Sequence, residues 1–235
     1  MKSLGMRRRA LAAAFPHTLP VLAGYLFLGL AFGILMNASG FPFWYPLLMS
    51  FAIYGGSLQY VAVSVLLSSF APVQTLLLAL MVQARHLFYG IALLDKYKGT
   101  GWKRIYLIFG ITDETFSITC TVQPPEDVDR KWFLFFVTLL NHSYWVISSA
   151  VGGMLGDLIP FSTEGIDFVM TAMFVVIFLE HWLQKKERIS ALIGVAASVV
   201  CLLGFGKDSF LLPTMICILM LLTVFRKPIE KEAVR

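Results

Sequence analysis

The chain has 235 residues, 58% of them hydrophobic and only 14% charged, with a formal net charge of +5. A soluble globule carries about 25% charged residues, so this composition excludes a water-soluble domain and indicates one compact integral membrane domain. Nor does the positive charge indicate nucleic acid: the basic residues cluster at the borders of apolar segments, where they orient a chain against a bilayer.

The first nine residues carry Lys2, Arg7, Arg8 and Arg9 and look like the basic end of a signal peptide. The apolar stretch that follows is long and lacks a clear cleavage site. We therefore expect a basic cytoplasmic segment over residues 1–14, one transmembrane domain over residues 15–225 and a basic cytoplasmic tail over residues 226–235. Eight apolar runs fill the middle: Phe15 to Met36, Leu47 to Ser69, Thr75 to Leu94, Ile105 to Thr121, Trp132 to Leu155, Ile166 to Trp182, Ile189 to Gly206 and Phe210 to Phe225. A full crossing needs about 20 residues, so the fourth, sixth, seventh and eighth are borderline. The expected fold class is an all-α, polytopic membrane helical bundle of about seven to eight hydrophobic segments. Gly-, Pro- and Asn-containing punctuation separates the runs, too briefly for a soluble domain between them.

Basic clusters lie at Met1 to Arg9, Lys96 to Arg104, Lys185 to Arg188 and Arg226 onward. If all eight runs cross from a cytoplasmic N-terminus, every cluster except Lys96 to Arg104 falls inside. The exception disappears if the second run, broken at Gly55-Gly56-Ser57, and the fourth, carrying Asp113 and Glu114, fail to cross. Irregular backbone at membrane depth needs protein or a water-filled cavity around it, so this alternative predicts a substrate cavity. Tyr25, Gly29 and Gly33 recur at a constant offset as Tyr144, Ser148 and Gly152. An internal repeat of the kind that builds transporters and a small-residue helix-packing stripe, with Gly156 extending it, both account for the echo.

Four polar groups interrupt the apolar sequence. In Gly55-Gly-Ser-Leu-Gln-Tyr60, Ser57 and Gln59 offer hydrogen bonds where two glycines relax the backbone; an unwound amino-acid site and a close helix crossing are both open. Arg85 is the only formal charge between Arg9 and Asp95, and a charge at the bilayer centre costs on the order of 2.5–3.5 kcal/mol on insertion scales. It can clamp a substrate carboxylate, pair with a protein carboxylate, or snorkel to the interface. His86 beside it titrates near neutrality, and Tyr89 lies one turn on. Asp113 and Glu114 point about 100° apart on a helix, one expected toward Arg85 and the other toward a cavity; a carboxylate there serves as a proton carrier, unless the stretch is an exposed turn. Asn141 and His142 are expected to bond across helices. Glu180-His181-Trp182 reads as an interface anchor.

Enzymatic readings find little support. Ser57 lacks a serine-centred glycine elbow and a third orienting group, and no phosphate loop, metal motif or cysteine framework appears. Cys120, Cys201 and Cys217 read as packing residues, and neither a cofactor nor a metal is expected.

Five stretches occur in order: Pro16-His-Thr-Leu-Pro-Val with Gly29-Leu-Ala-Phe-Gly33, then Tyr54-Gly-Gly-Ser-Leu-Gln-Tyr60, Ala84-Arg-His-Leu-Phe-Tyr-Gly90, Phe109-Gly-Ile-Thr-Asp-Glu-Thr-Phe116 and Asn141-His-Ser-Tyr-Trp145. Through them the chain resembles the AzlC family over nearly its whole length. One departure is local: a Gly-Ala-Ser-Gln-Phe type run is common in the family where this chain has Gly-Gly-Ser-Leu-Gln-Tyr. The resemblance implies an inner-membrane exporter of leucine, isoleucine and valine, and of methionine or azaleucine as further cargo, coupled to an ion gradient. It also implies a small AzlD-like membrane partner. From the chemistry of the polar interruptions, an apolar pocket bounded by Gln59, Arg85 and Asp113 is expected, with Arg85 on the substrate carboxylate or in an internal pair. Asp113 or Glu114 takes the ammonium group or the coupling proton. A channel, a non-transporting scaffold, and an exporter of another amino acid or small cation are the alternatives.

Overall fold

The computed structural model describes residues 2–69, 71–158, 188–206 and 210–224, together with Val175, Phe178, Leu179 and Trp182. The sixth apolar run except those four residues, Glu164, Glu180 and His181, the Lys185 to Glu187 cluster and the tail 226–235 lie outside the described residues. Every regular element among the described residues is helical. The chain divides into two compact units, Met1–Glu164 and Gly165–Arg235.

The first unit is built on two long helices, α1 (Lys2–Ala38) and α8 (Arg130–Leu158). Between them lie α2 (Trp44–Ala52), α3 (Gly56–Leu67), α4 (Pro72–Val82), α5 (Ala84–Leu93), α6 (Lys103–Phe109) and α7 (Asp113–Thr121). The first helix begins well before Phe15. The basic stretch is continuous with the apolar one and contains no residue that stops a helix before Pro16. Both Pro16 and Pro20 lie inside α1, where each removes a backbone donor, and in that turn Thr18 Oγ1 donates to the Phe15 carbonyl at 2.9 Å.

Helices α1 and α8 run parallel and touch along their lengths. Arg7 lies 4.3 Å from the Trp132 ring at one end, and Asn37 meets Gly156 at the other. Their closeness has a steric cause: a Cβ on Gly29 would strike Ser148, one on Gly33 the backbone of Ser149 and Gly153, and one on Gly152 the backbone of Leu30. Only small residues permit such an approach. Gly29, Gly33 and Asn37 each face the residue 119 positions later, the offset of the sequence echo.

The shorter helices fall into broken pairs. Helix α2 descends along α8 from Gly153, which packs on Pro46 and Phe43, to His142, whose ring lies 5.8 Å from Phe51. The chain breaks at Ile53–Gly55, with Tyr54 at φ 47°, a left-handed conformation costly for a bulky residue. Then α3 starts beside Trp145 and turns back along α1, Tyr60 donating to the Leu28 carbonyl at 2.6 Å and packing on Phe32. Next, α4 and α5 form one path bent by 49° at Gln83, and Gln83 packs on Gly55. The fourth run folds as a hairpin, α6 entering and α7 returning around Gly110–Thr112. Both its ends lie at the Arg130 end of α8: Lys103 Nζ sits 3.9 Å over the Trp132 ring, and Lys96 Nζ donates to the Thr119 and Cys120 carbonyls at the close of α7. Those last-turn carbonyls lack helical donors, so the lysine completes them.

In the second unit, α9 (Arg188–Phe205) packs on α10 (Leu211–Val224). Among the described residues three helices are long and apolar enough to cross a membrane, in α1, α8 and α9, or four if the bent pair α4–α5 is one span. The expectation of seven to eight segments is thus met only at the coarser level of an all-helical, membrane-type chain. The reason is visible in the second and fourth runs, where each apolar stretch is two short helices around a break rather than one long helix.

Candidate functional site

Three helix breaks, at Ile53–Gly55, Gln83 and Gly110–Thr112, meet midway along α8. Their proximity is direct: Gly55 touches Gln83, the Tyr54 ring is 6.2 Å from Phe109 and 4.5 Å from His142, and the hydroxyl of Tyr25 on α1 lies 2.9 Å from Thr112 Oγ1. Helices α3, α5 and α7 all begin there, so three helix N-termini, each with unpaired N–H groups and a partial positive charge, lie around one locus.

Arg85, in the first turn of α5, reaches two of the other breaks. Its Nη1 pairs with Asp113 Oδ2 at 2.7 Å, and its Nη2 donates to Ser57 Oγ at 3.0 Å. Hence Ser57, Arg85 and Asp113 form one polar chain across α3, α5 and α7. The chain is not saturated. Among the described residues Arg85 Nε, Asp113 Oδ1 and the neighbouring Gln83 Oε1 are buried with no partner. Tyr89, one turn from Arg85, stacks on Phe116 at 4.4 Å, and the His86 ring lies 5.7 Å from that of Tyr89.

Glu114 faces away from this pair, as adjacent helical residues must. Tyr25 donates to its Oε2 at 2.5 Å. Thr112 caps α7, accepting from the Thr115 backbone N–H at 3.3 Å, and its hydroxyl donates to Thr115 Oγ1 at 3.1 Å. Asn141 Nδ2 donates to the same oxygen at 3.1 Å, and Asn141 Oδ1 is buried without a partner among the described residues. Gln59 is fully buried and occupied: its Nε2 donates to Ser50 Oγ at 3.0 Å and its Oε1 accepts from Trp145 Nε1 at 2.8 Å. It ties α2, α3 and α8 together. His142 pairs through Nδ1 with the Tyr106 hydroxyl at 2.9 Å and borders a groove of ≈ 690 Å³ walled by Phe51, Trp102, Phe135 and Val146. Among the described residues no three His, Cys, Asp or Glu side chains converge on a metal position.

Sequence reasoning missed Tyr54, Thr112 and Trp145, and it noted Tyr25 only for the repeat. Tyr54 stands directly before the paired glycines and Thr112 directly before the paired carboxylates. Those positions were the available signal, because a break needs a residue before the new helix to close it.

A match to the AzlC protein family covers residues 20–159, which contain every element of this arrangement. The chain belongs to the AzlC family. Over 96% of its length it is 55% identical to a protein of Bacillus subtilis (strain 168) named "Branched-chain amino acid transport protein AzlC", 89% of which is covered. It is 46% identical to an uncharacterized membrane protein of Haemophilus influenzae, with 92% of this chain and 88% of that one aligned. Against the "Inner membrane protein YgaZ" of Escherichia coli K12 the identity is 26% over 77% of this chain and 78% of the other. No solved structure matches. An AzlC-family chain with apolar spanning helices is a membrane protein with a role in transport, and its relatives point away from enzymes.

Proposed function

We propose that this chain is the large subunit of an ion-gradient-driven exporter of branched-chain amino acids, acting in the bacterial inner membrane with a small AzlD-like subunit. The observation that carries the reading is the incompletely satisfied Arg85–Asp113 pair at the meeting of three helix breaks. An amino acid zwitterion presents one carboxylate and one ammonium group. Arg85 Nε and the N-terminal amides of α3 suit the carboxylate; Asp113 Oδ1 and Gln83 Oε1 suit the ammonium. Broken helices whose N-termini face an anionic substrate group at mid-membrane are a recurrent design of secondary transporters. The name of the Bacillus relative supports branched-chain cargo.

The test is efflux of labelled leucine from cells or vesicles holding this chain alone or with its small partner, across imposed proton gradients. Gradient-dependent efflux with both chains is the expected result; no efflux of any branched-chain amino acid rejects the cargo. Asp113→Asn should abolish pH-driven export while leaving insertion intact. A scaffold would tolerate neutral residues at Arg85 and Asp113.

A further inference from the structure

Two adjacent carboxylates stand at the start of α7, and their surroundings differ in the way that separates a fixed charge from a proton carrier. Asp113 is paired with the Arg85 guanidinium at 2.7 Å. Among the described residues no Lys, Arg or His lies within ion-pair distance of Glu114. The groups that face it are Tyr25 from α1, Tyr54 from the α2–α3 break, Tyr89 from α5, and Asp113 and Thr112 of its own segment, with Arg85 beyond Asp113.

We propose that Glu114 takes up and releases the coupling proton and that Tyr25 is the positioning residue that holds it in both protonation states. The proposal rests on the ion-coupled export reading and assigns one residue to a role that reading leaves between two. The hydrogen-bond geometry carries it. The Tyr25 hydroxyl has one hydrogen and two acceptors within reach, Glu114 Oε2 at 2.5 Å and Thr112 Oγ1 at 2.9 Å. With Glu114 ionised, that hydrogen lies on the carboxylate. When a proton from water bonds to Oε2, the new O–H donates back to the Tyr25 oxygen, and the Tyr25 hydrogen turns to Thr112. The Thr112 hydrogen already points to Thr115, so Thr112 accepts it without losing a bond. Release breaks the O–H bond and returns the proton to water, and the hydroxyls turn back. Both states keep the hydrogens of Tyr25, Thr112 and the carboxyl group engaged without moving a heavy atom, which is what a carrier needs in a medium where an unmet polar group costs several kcal/mol. Tyr25 belongs to α1 and Glu114 to the α6–α7 hairpin, so protonation alters a contact between a long helix and a hairpin, and the hairpin also carries the partner of Arg85.

The experiment compares pH-driven leucine efflux with leucine–leucine exchange at equal pH, for the chain with its small partner. Glu114→Gln should lose at least tenfold in pH-driven efflux and retain exchange. Tyr25→Phe should keep exchange and move the pH profile of efflux upward, because the carboxylate loses the donor that favours its charged form. Intact pH-driven efflux in Glu114→Gln overturns the proposal, as does equal loss of both activities in protein that still inserts. A readout that needs no cargo separates this outcome from a failed substrate assignment. Infrared titration of the purified protein should show a protonated-carboxyl band that Glu114→Gln removes and Asp113→Asn leaves; a wild-type titration without that band overturns the role of Glu114 whatever the protein exports.

Discussion

At the residue scale the Arg85–Asp113 pair sets the terms. Removing one partner of a fully buried pair costs about 3–5 kcal/mol; here the side chains are 35% and 36% exposed, and solvent screening lowers the cost to roughly 1–3 kcal/mol. We expect Arg85→Gln to lower the thermal stability of the detergent-solubilised protein by that amount, and the addition of Asp113→Asn to recover most of it. A double-mutant cycle on melting temperature checks this; additive losses would mean that the two side chains do not depend on each other. Transport should not return in the double variant, since the charges are needed for cargo even where the fold is content without them. Gln59 gives a contrasting case. Its amide bridges Ser50 and Trp145, so Gln59→Leu strands the Trp145 N–H and should cost about 1–3 kcal/mol of stability, read in the same melt.

At the element scale the α1–α8 contact depends on missing side chains. Gly152→Leu drives its Cβ into the backbone of Leu30, and overpacking of this kind costs about 1–3 kcal/mol. A Cβ on Gly24 of α1 would meet nothing within 4 Å among the described residues, so Gly24→Ala should not destabilise. Membrane abundance and melting of the two variants side by side measure the difference. The sequence made much of this legible. The small-residue stripe and the polar interruptions are visible because Gly, Gln, Arg and paired acids are conspicuous in apolar sequence; three of the four interruptions lie at helix breaks, and the fourth, at Asn141 and His142, lies inside the unbroken α8. What it hid were the tyrosines and threonines that complete the site. Tyr25 looks apolar in a hydropathy pattern, and its hydroxyl acquires meaning only when Thr112 and Glu114, 87 and 89 positions away, arrive beside it. Hydropathy is likewise silent on how far α1 extends, because the helix runs on through the basic flank from Lys2.

At the scale of the whole first unit, the contacts bear on how the chain lies in a membrane. Arg7 and Lys103 share the Trp132 ring, and Arg9 lies 3.8 Å from Asp127, so the basic clusters at Met1 to Arg9 and Lys96 to Arg104 are at one end of the α1–α8 pair. We predict that sidedness reporters at Lys98 and Glu126 give the same side as the N-terminus, and that one at Gly40 gives the opposite side. A reporter at Lys98 that sides with Gly40 would mean that the fourth run crosses.

The midpoint breaks also have a consequence for synthesis. A ribosome delivers α2, α3 and the α6–α7 hairpin before α8 exists, yet Tyr54, Gly56, Thr115 and Gln59 take their neighbours from α8. Until that helix emerges, interrupted backbone and a pair of acids have nowhere sheltered to go in a lipid phase. The half-helices must therefore wait at the interface or beside the insertion machinery, and the last long helix of this unit is the event that draws them in. A chain cut before Arg130 should reach the membrane through α1 and then be degraded, making assembly of the site a late step in the life of the nascent polypeptide.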